Sequence, residues 1–157
     1  MSPLRSMCLS ERRSPTRIAL ALAALLPLAA HAEYRSIGDA PAVMYDAPSN
    51  RASKLYVAGR NLPVEVIASD GTWVKVRDPF GGLSWVEKKA LAERRTVLVT
   101  APTADVRQRP EDAAPLAFQA QQGVVLELLD VGVTGWARVR HADGASGYVR
   151  VGQVWGI

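Results

Sequence analysis

Aromatic and basic side chains stand at repeated intervals in this sequence. Trp73 and Trp85 stand twelve positions apart, as do Trp136 and Tyr148, with Tyr45 ahead of the first pair and Arg107, Arg109, Arg138 and Arg140 around the second. Flat, amphipathic rings give a sugar ring or an extended peptide a surface to stack on. Guanidinium groups meet carboxylates through charge-assisted hydrogen bonds. Tyr45, Trp73, Trp85, Arg107, Arg109, Trp136 and Tyr148 are therefore the candidate ligand-binding residues. The same residues also have plainer uses: rings can cap the open end of a small barrel, and arginines can form the solvated face of strands. Tyr56, near Lys54 and Arg60, and Phe118 fall in stretches read as variable loops, where a groove role and a packing role are both open.

Catalytic chemistry finds little to use. After Ala32 the chain has one histidine, His141, and no cysteine. Neither a Cys–His nucleophile pair nor a Cys/His zinc site can then be assembled. Ser146 shares a predicted hairpin with His141, and a triad confined to one turn would lack an oxyanion hole and a pocket. Ser84 is the other serine weighed for that role. Glu65, Glu127 and Asp70 could supply a carboxylate pair for glycoside hydrolysis, but Glu65 and Glu127 occupy matching strand positions where an outward polar residue is enough. The reading is a protein with no catalytic residue, no metal and no cofactor.

The elements that position these residues come from a repeat. Trp73–Val86 returns 63 residues later as Trp136–Val149, each copy an alternating run, a turn-rich segment and a second aromatic. Period-two alternation marks a strand with one buried face, and Asp-Pro-Phe-Gly-Gly or His-Ala-Asp-Gly marks a turn. The valines share one face, and the tryptophans share the other with Lys75 and Arg77 or Arg138 and Arg140, which places the rings outside the main core. Folding each hairpin about Pro79 or Ala142 predicts Trp73 opposite Trp85 and Trp136 opposite Tyr148. The match extends to Val64-Glu-Val with Leu126-Glu-Leu, Leu62 with Val124, Val43 with Val106, Pro48 with Pro110 and Leu91 with Val154, at offsets of 62 or 63.

Searching for repeats first thus gives two units, Glu33–Arg95 and Thr96–Ile157. Each reads as an opening strand (Tyr34–Ile37; Val97–Thr100), an extended or looping stretch to a proline (Val43–Pro48; Val106–Pro110), and a variable loop. A strand (Val64–Ala68; Val124–Leu129), the aromatic hairpin and a single closing helical turn (Lys88–Leu91; Gly152–Val154) follow. A further helical turn within Ala113–Gln122 stays open. Short strands with turn signals at close spacing predict an all-β fold of two consecutive small barrels. Domains of about 60 residues are marginal alone, and the short Ala92–Arg95 joint predicts a fixed or semi-fixed pair.

Residues 1–32 read as a signal peptide. Arg5, Arg12, Arg13 and Arg17 form a basic start, Ile18–Ala30 is apolar, and Ala30-His31-Ala32 fits small-x-small cleavage after Ala32. The apolar run is shorter than the ~20 residues a membrane span needs, so stable membrane insertion after cleavage is not expected, and the predicted location is periplasmic or secreted. Without the leader, a formal charge of +4 falls to +1, fifteen Lys/Arg against fourteen Asp/Glu. No basic stripe remains to bind nucleic acid.

In their order, these motifs resemble the bacterial SH3-like family. The second unit carries Val97–Pro110, Gly123-Val-Val-Leu-Glu-Leu, Gly135-Trp-Ala-Arg-Val and Gly147-Tyr-Val. The first carries Gly59–Val66, Gly71-Thr-Trp-Val-Lys-Val and Ser84-Trp-Val. Of the family's Val-Asn-Val-Arg segment, the asparagine is matched here by Met44 and Arg107, and the arginine by Asp46 and Arg109. The resemblance implies tandem SH3-like barrels and a non-catalytic binding module. Its expected partner is peptidoglycan or its stem peptides, or, as an alternative, an envelope protein or peptide.

Overall fold

The computed structural model describes residues 32–157; the leader expected over residues 1–32 lies, except for Ala32, outside the described residues. The first half contains β1 (Glu33–Ile37), β2 (Ala42–Tyr45), β3 (Lys54–Ala58), β4 (Pro63–Asp70), β5 (Trp73–Arg77), β6 (Leu83–Glu87), a 3₁₀ turn at Lys88–Ala90 and β7 (Leu91–Ala92). The second contains β8 (Thr96–Val99), β9 (Thr103–Arg107), β10 (Leu116–Gln121), β11 (Val125–Val133), β12 (Trp136–Arg140), β13 (Ser146–Arg150), a 3₁₀ turn at Val151–Gln153 and β14 (Val154–Trp155). Each half is one seven-stranded sheet, with the orders β3-β2-β6-β5-β4-β1-β7 and β10-β9-β13-β12-β11-β8-β14. The two orders are the same path traced twice.

Alternation puts the valines inside. Ile37, Met44, Val64, Val74, Val76 and Val86 fill the first core, and Val97, Val99, Val106, Leu126, Val139 and Val149 the second. None of the tryptophans belongs to either valine-rich cluster, although Trp136 is buried.

The hairpin register corrects the expected one by two residues. Trp73 faces Glu87 and Lys75 faces Trp85, while Trp136 faces Arg150 and Arg138 faces Tyr148. The cause is in the turns. Asp78 N–H donates to Gly82 O and His141 N–H to Ala145 O, which centres the hairpins on Phe80 and Asp143, one residue beyond the expected midpoints. The Asp78 carboxylate fixes the first turn by accepting from Phe80 N–H at 2.8 Å and Gly82 N–H at 2.9 Å. The expected aromatic cross-strand pairs therefore do not form, and each hairpin tryptophan faces a charged residue across the hairpin.

The stretches read as variable loops also need correction, because they contain strands β3 and β10. Tyr56 and Phe118 lie on them, and residues 116–121 of Ala113–Gln122 are extended rather than helical. Their pairing shows that Met44, opposite Tyr56, is the equivalent of Val106, opposite Phe118, in place of Val43. By the same register Tyr45, facing Trp85, corresponds to Arg107, facing Tyr148. The positions matched to the family's asparagine, Met44 and Arg107, are therefore not equivalent to each other in the two barrels.

Buried polar contacts join the barrels. Thr96 Oγ1 donates to Asn61 O at 2.6 Å, which leaves Ser36 Oγ as donor to Thr96 Oγ1 at 2.7 Å. Arg95 Nη2 donates to Gly156 O at 2.8 Å, and the Tyr34 and Trp155 rings meet edge to face at 5.2 Å. Gly156 has φ +113°, and a Cβ there would lie 2.9 Å from Thr96 O and 3.1 Å from Pro63 Cβ. Only glycine lets the end of the second barrel approach the first this closely.

Candidate functional site

The outer face of the first barrel's hairpin carries a groove of about 350 Å³ lined by Pro48, Ser49, Asn50, Thr72, Trp73, Glu87 and Lys89. Strand parity turns Trp73 outward from β5, and the register sets Glu87 of β6 beside it. Tyr45 from β2 supports the indole, with ring centroids 5.2 Å apart and planes at 87°. This edge-to-face geometry suits the aromatic quadrupoles. Tyr45 is itself buried, so Trp73, half-buried, is the ring of the pair that lines the groove. At the rim Lys89 Nζ lies 2.6 Å from Glu87 Oε2, and this carboxylate raises the Lys89 pKa. The lysine side chain is 82% exposed.

The opposite wall is the β2–β3 loop, held by Asp46 N–H to Ser53 O, Ser49 N–H to Ala47 O and Ala52 N–H to Ser49 O. The β9–β10 loop repeats all three bonds 62 residues later, as Gln108 to Pro115, Glu111 to Arg109 and Ala114 to Glu111. Asn50 and Asp112 are thereby equivalent, and so are Glu87 and Arg150. In the second barrel the Arg150 guanidinium stands 4.3 Å from the Trp136 ring centroid and bonds Asp112 through Nε at 3.2 Å and Nη2 at 2.5 Å. A Cβ on Gly135, the equivalent of Thr72, would be 3.5 Å from Arg150 Nη1. One side chain thus fills the place that is a groove in the first barrel, and Trp136 beneath it is only 5% exposed.

The remaining candidates have other partners. Trp85 lies on the outer face with Lys75 Nζ 6.0 Å from its ring, and Tyr148 is half-buried opposite Arg138. Arg107 donates to Asp105 Oδ2 at 2.8 Å and Ala114 O at 3.1 Å. Arg109 is exposed and bonds Glu111 at 2.7 Å. The structure brings Tyr45 and Trp73 into contact but does not gather the seven candidates on one face. Glu65 and Glu127 bond Arg77 and Arg140 across matching strands, consistent with outward polar positions.

At the turn end of the first hairpin, Tyr56 Oη donates to Asp78 Oδ2 at 2.9 Å. Burial chiefly pushes the Tyr56 hydroxyl up from its ordinary pKa, and the Asp78 carboxylate adds to the rise. The equivalent pair in the second barrel is Phe118 and His141, with ring centroids 5.9 Å apart.

Sequence reasoning missed Asn50, Glu87 and Lys89 of the groove and Asp112 and Arg150 of its filled counterpart. Alignment of the repeats at offset 63 would have set Glu87 against Arg150, a reversal of charge beside an identical tryptophan. Among the described residues no group of three or more His, Cys, Asp or Glu side chains could hold a metal ion. Among those residues no helix is long and apolar enough to cross a membrane.

No curated protein matches the chain. Solved structures similar to it include NlpC2 and NlpC1 of Trichomonas vaginalis, at 16% and 15% identity with TM-scores of 0.36 and 0.38. They align with 80% and 79% of this chain and 48% and 45% of theirs. An NlpC/P60 family protein of Bacillus cereus aligns at 20% identity and a TM-score of 0.35, over 78% of this chain and 56% of its own. The chain spans about half the length of these structures. The family model for the bacterial SH3 domain matches twice, over residues 38–93 and 100–156. With one match on each barrel and well over half the sequence covered, the chain belongs to the bacterial SH3 domain family, as a tandem pair.

Proposed function

We propose that this chain is an exported, periplasmic and non-catalytic binding module that holds peptidoglycan or one of its stem peptides in the groove of the first barrel. The observation that carries this reading is the half-buried Trp73, braced by Tyr45 and walled by the polar groups of Ser49, Asn50, Thr72 and Glu87. An aromatic ring set among convergent hydrogen-bonding groups suits a sugar ring or an extended amide chain. Membership in a family of binding modules supports it. The basic, then apolar, then Ala30-His31-Ala32 start supports export.

The test is co-sedimentation of Glu33–Ile157 with purified sacculi, beside a Trp73→Ala variant shown to be folded. The expected result is a pelleted wild type and a soluble variant. A wild type that stays in the supernatant at moderate salt contradicts the reading.

A second reading, an envelope protein-interaction module, has its own observation. Strand β3 is a sheet edge, and Leu55 and Val57 on it are 49% and 64% exposed. An apolar edge strand accepts a further strand by main-chain hydrogen bonding. On this reading, Val57→Lys abolishes association with an envelope protein while sacculus binding is absent from the start.

A further inference from the structure

The second barrel contains a model of what the first barrel's groove receives. Arg150 presents a planar cation to the face of Trp136 at 4.3 Å and anchors it on Asp112. That is a cation–π contact closed by a charge-assisted pair. In the first barrel the same indole, loop fold and neighbouring strand are present, but the cation has been removed. Glu87 replaces Arg150, and Asn50 replaces Asp112. The exchange opens about 350 Å³ and moves the acceptor carboxylate from the loop to the strand, directly opposite Trp73.

We propose that the groove over Trp73 takes a cationic group of its ligand, a guanidinium or primary ammonium on an extended peptide, seated on the indole and paired with Glu87. The proposal rests on the reading of this groove as the binding site and names the chemistry it selects. The Glu87 carboxylate can accept a second donor beside Lys89. Lys89, being 82% exposed, forms a surface pair of the kind that exchanges readily. Asn50 and Ser49 on the far wall supply neutral acceptors for the rest of a peptide.

The probes are N-acetyl-arginine amide and its uncharged isostere N-acetyl-citrulline amide, titrated into Glu33–Ile157 while the indole N–H resonances of the four tryptophans are followed. The arginine probe is expected to shift Trp73 saturably, and citrulline to bind roughly tenfold more weakly or not at all. Glu87→Arg, which copies the second barrel's own arrangement, is expected to fold and to abolish the shift. Lys89→Gln removes the internal competitor and strengthens it. Arg150→Glu uncovers Trp136 and makes its resonance respond. Equal shifts with both probes, no shift at Trp73, or a Glu87→Arg variant that responds like wild type would overturn the inference. Sacculus binding measured on the same protein separates the two ideas: pelleting lost in Trp73→Ala with no arginine response retains the wall-binding reading and removes the cation.

Discussion

The two barrels trace one path and share one loop geometry, yet they use the same tryptophan differently. Trp136 is covered by an arginine from its own sheet, whereas Trp73 faces an open groove with a carboxylate across from it. Glu87 in place of Arg150, together with Asn50 in place of Asp112, leaves the first indole beside an open groove without changing the strands beneath. The buried contacts at Ser36, Asn61 and Thr96 then hold the two barrels as a pair.

The largest predicted contrast is in stability. Trp136→Ala removes a buried ring together with the seat of Arg150 and should cost about 3–5 kcal/mol, near the range for buried aromatics. Trp73→Ala, on a half-buried face outside the core, should cost no more than about 2 kcal/mol. Urea unfolding of both variants checks this, and equal losses would break the contrast between a covered and an open indole.

Next in size is the arginine itself. Arg150→Ala should destabilise by roughly 1 kcal/mol through the lost stacking and ion pair, while Glu87→Ala should stay within about 0.5 kcal/mol. Asp112→Asn, which gives the second loop the residue of the first, should cost roughly 0.2–1 kcal/mol, diminishing with added salt. Thermal melts at low and high salt distinguish these.

The smallest effect concerns the turn ends of the two hairpins. Tyr56 is held protonated in the folded chain, so its contribution is whole below the ordinary tyrosine pKa of about 10 and declines as pH rises through the higher folded value. Tyr34, raised chiefly by burial and next by Glu65, acts in the same direction. Tyr56→Phe, which copies Phe118, should therefore flatten part of the alkaline loss of stability. A denaturation midpoint whose pH dependence is unchanged in that variant would assign the loss to Tyr34.

Much of this fold is legible in the residues, because two of its determinants are local. Val74 and Val76 alternate with Trp73, Lys75 and Arg77, and that period alone separates core from outer face. What was not legible depends on contacts distant in sequence or on fine turn geometry. The hairpin register turns on whether Asp78 or its neighbour closes the loop, a difference of one residue that changes every cross-strand partner. Strand β3 shows no alternation, since Lys54, Leu55, Tyr56 and Val57 are all exposed on a sheet edge. The bonds between Asp112 and Arg150 span 38 residues, and no spacing rule points to them. The aromatics could be named as candidates from sequence, but which of them is covered could not.

The most direct test of an open first groove and a filled second one is to follow the four tryptophan indole resonances while soluble peptidoglycan fragments from a muramidase digest are added. A saturable shift at Trp73 with Trp136 unmoved is expected. A response at Trp136 with Trp73 silent would contradict it.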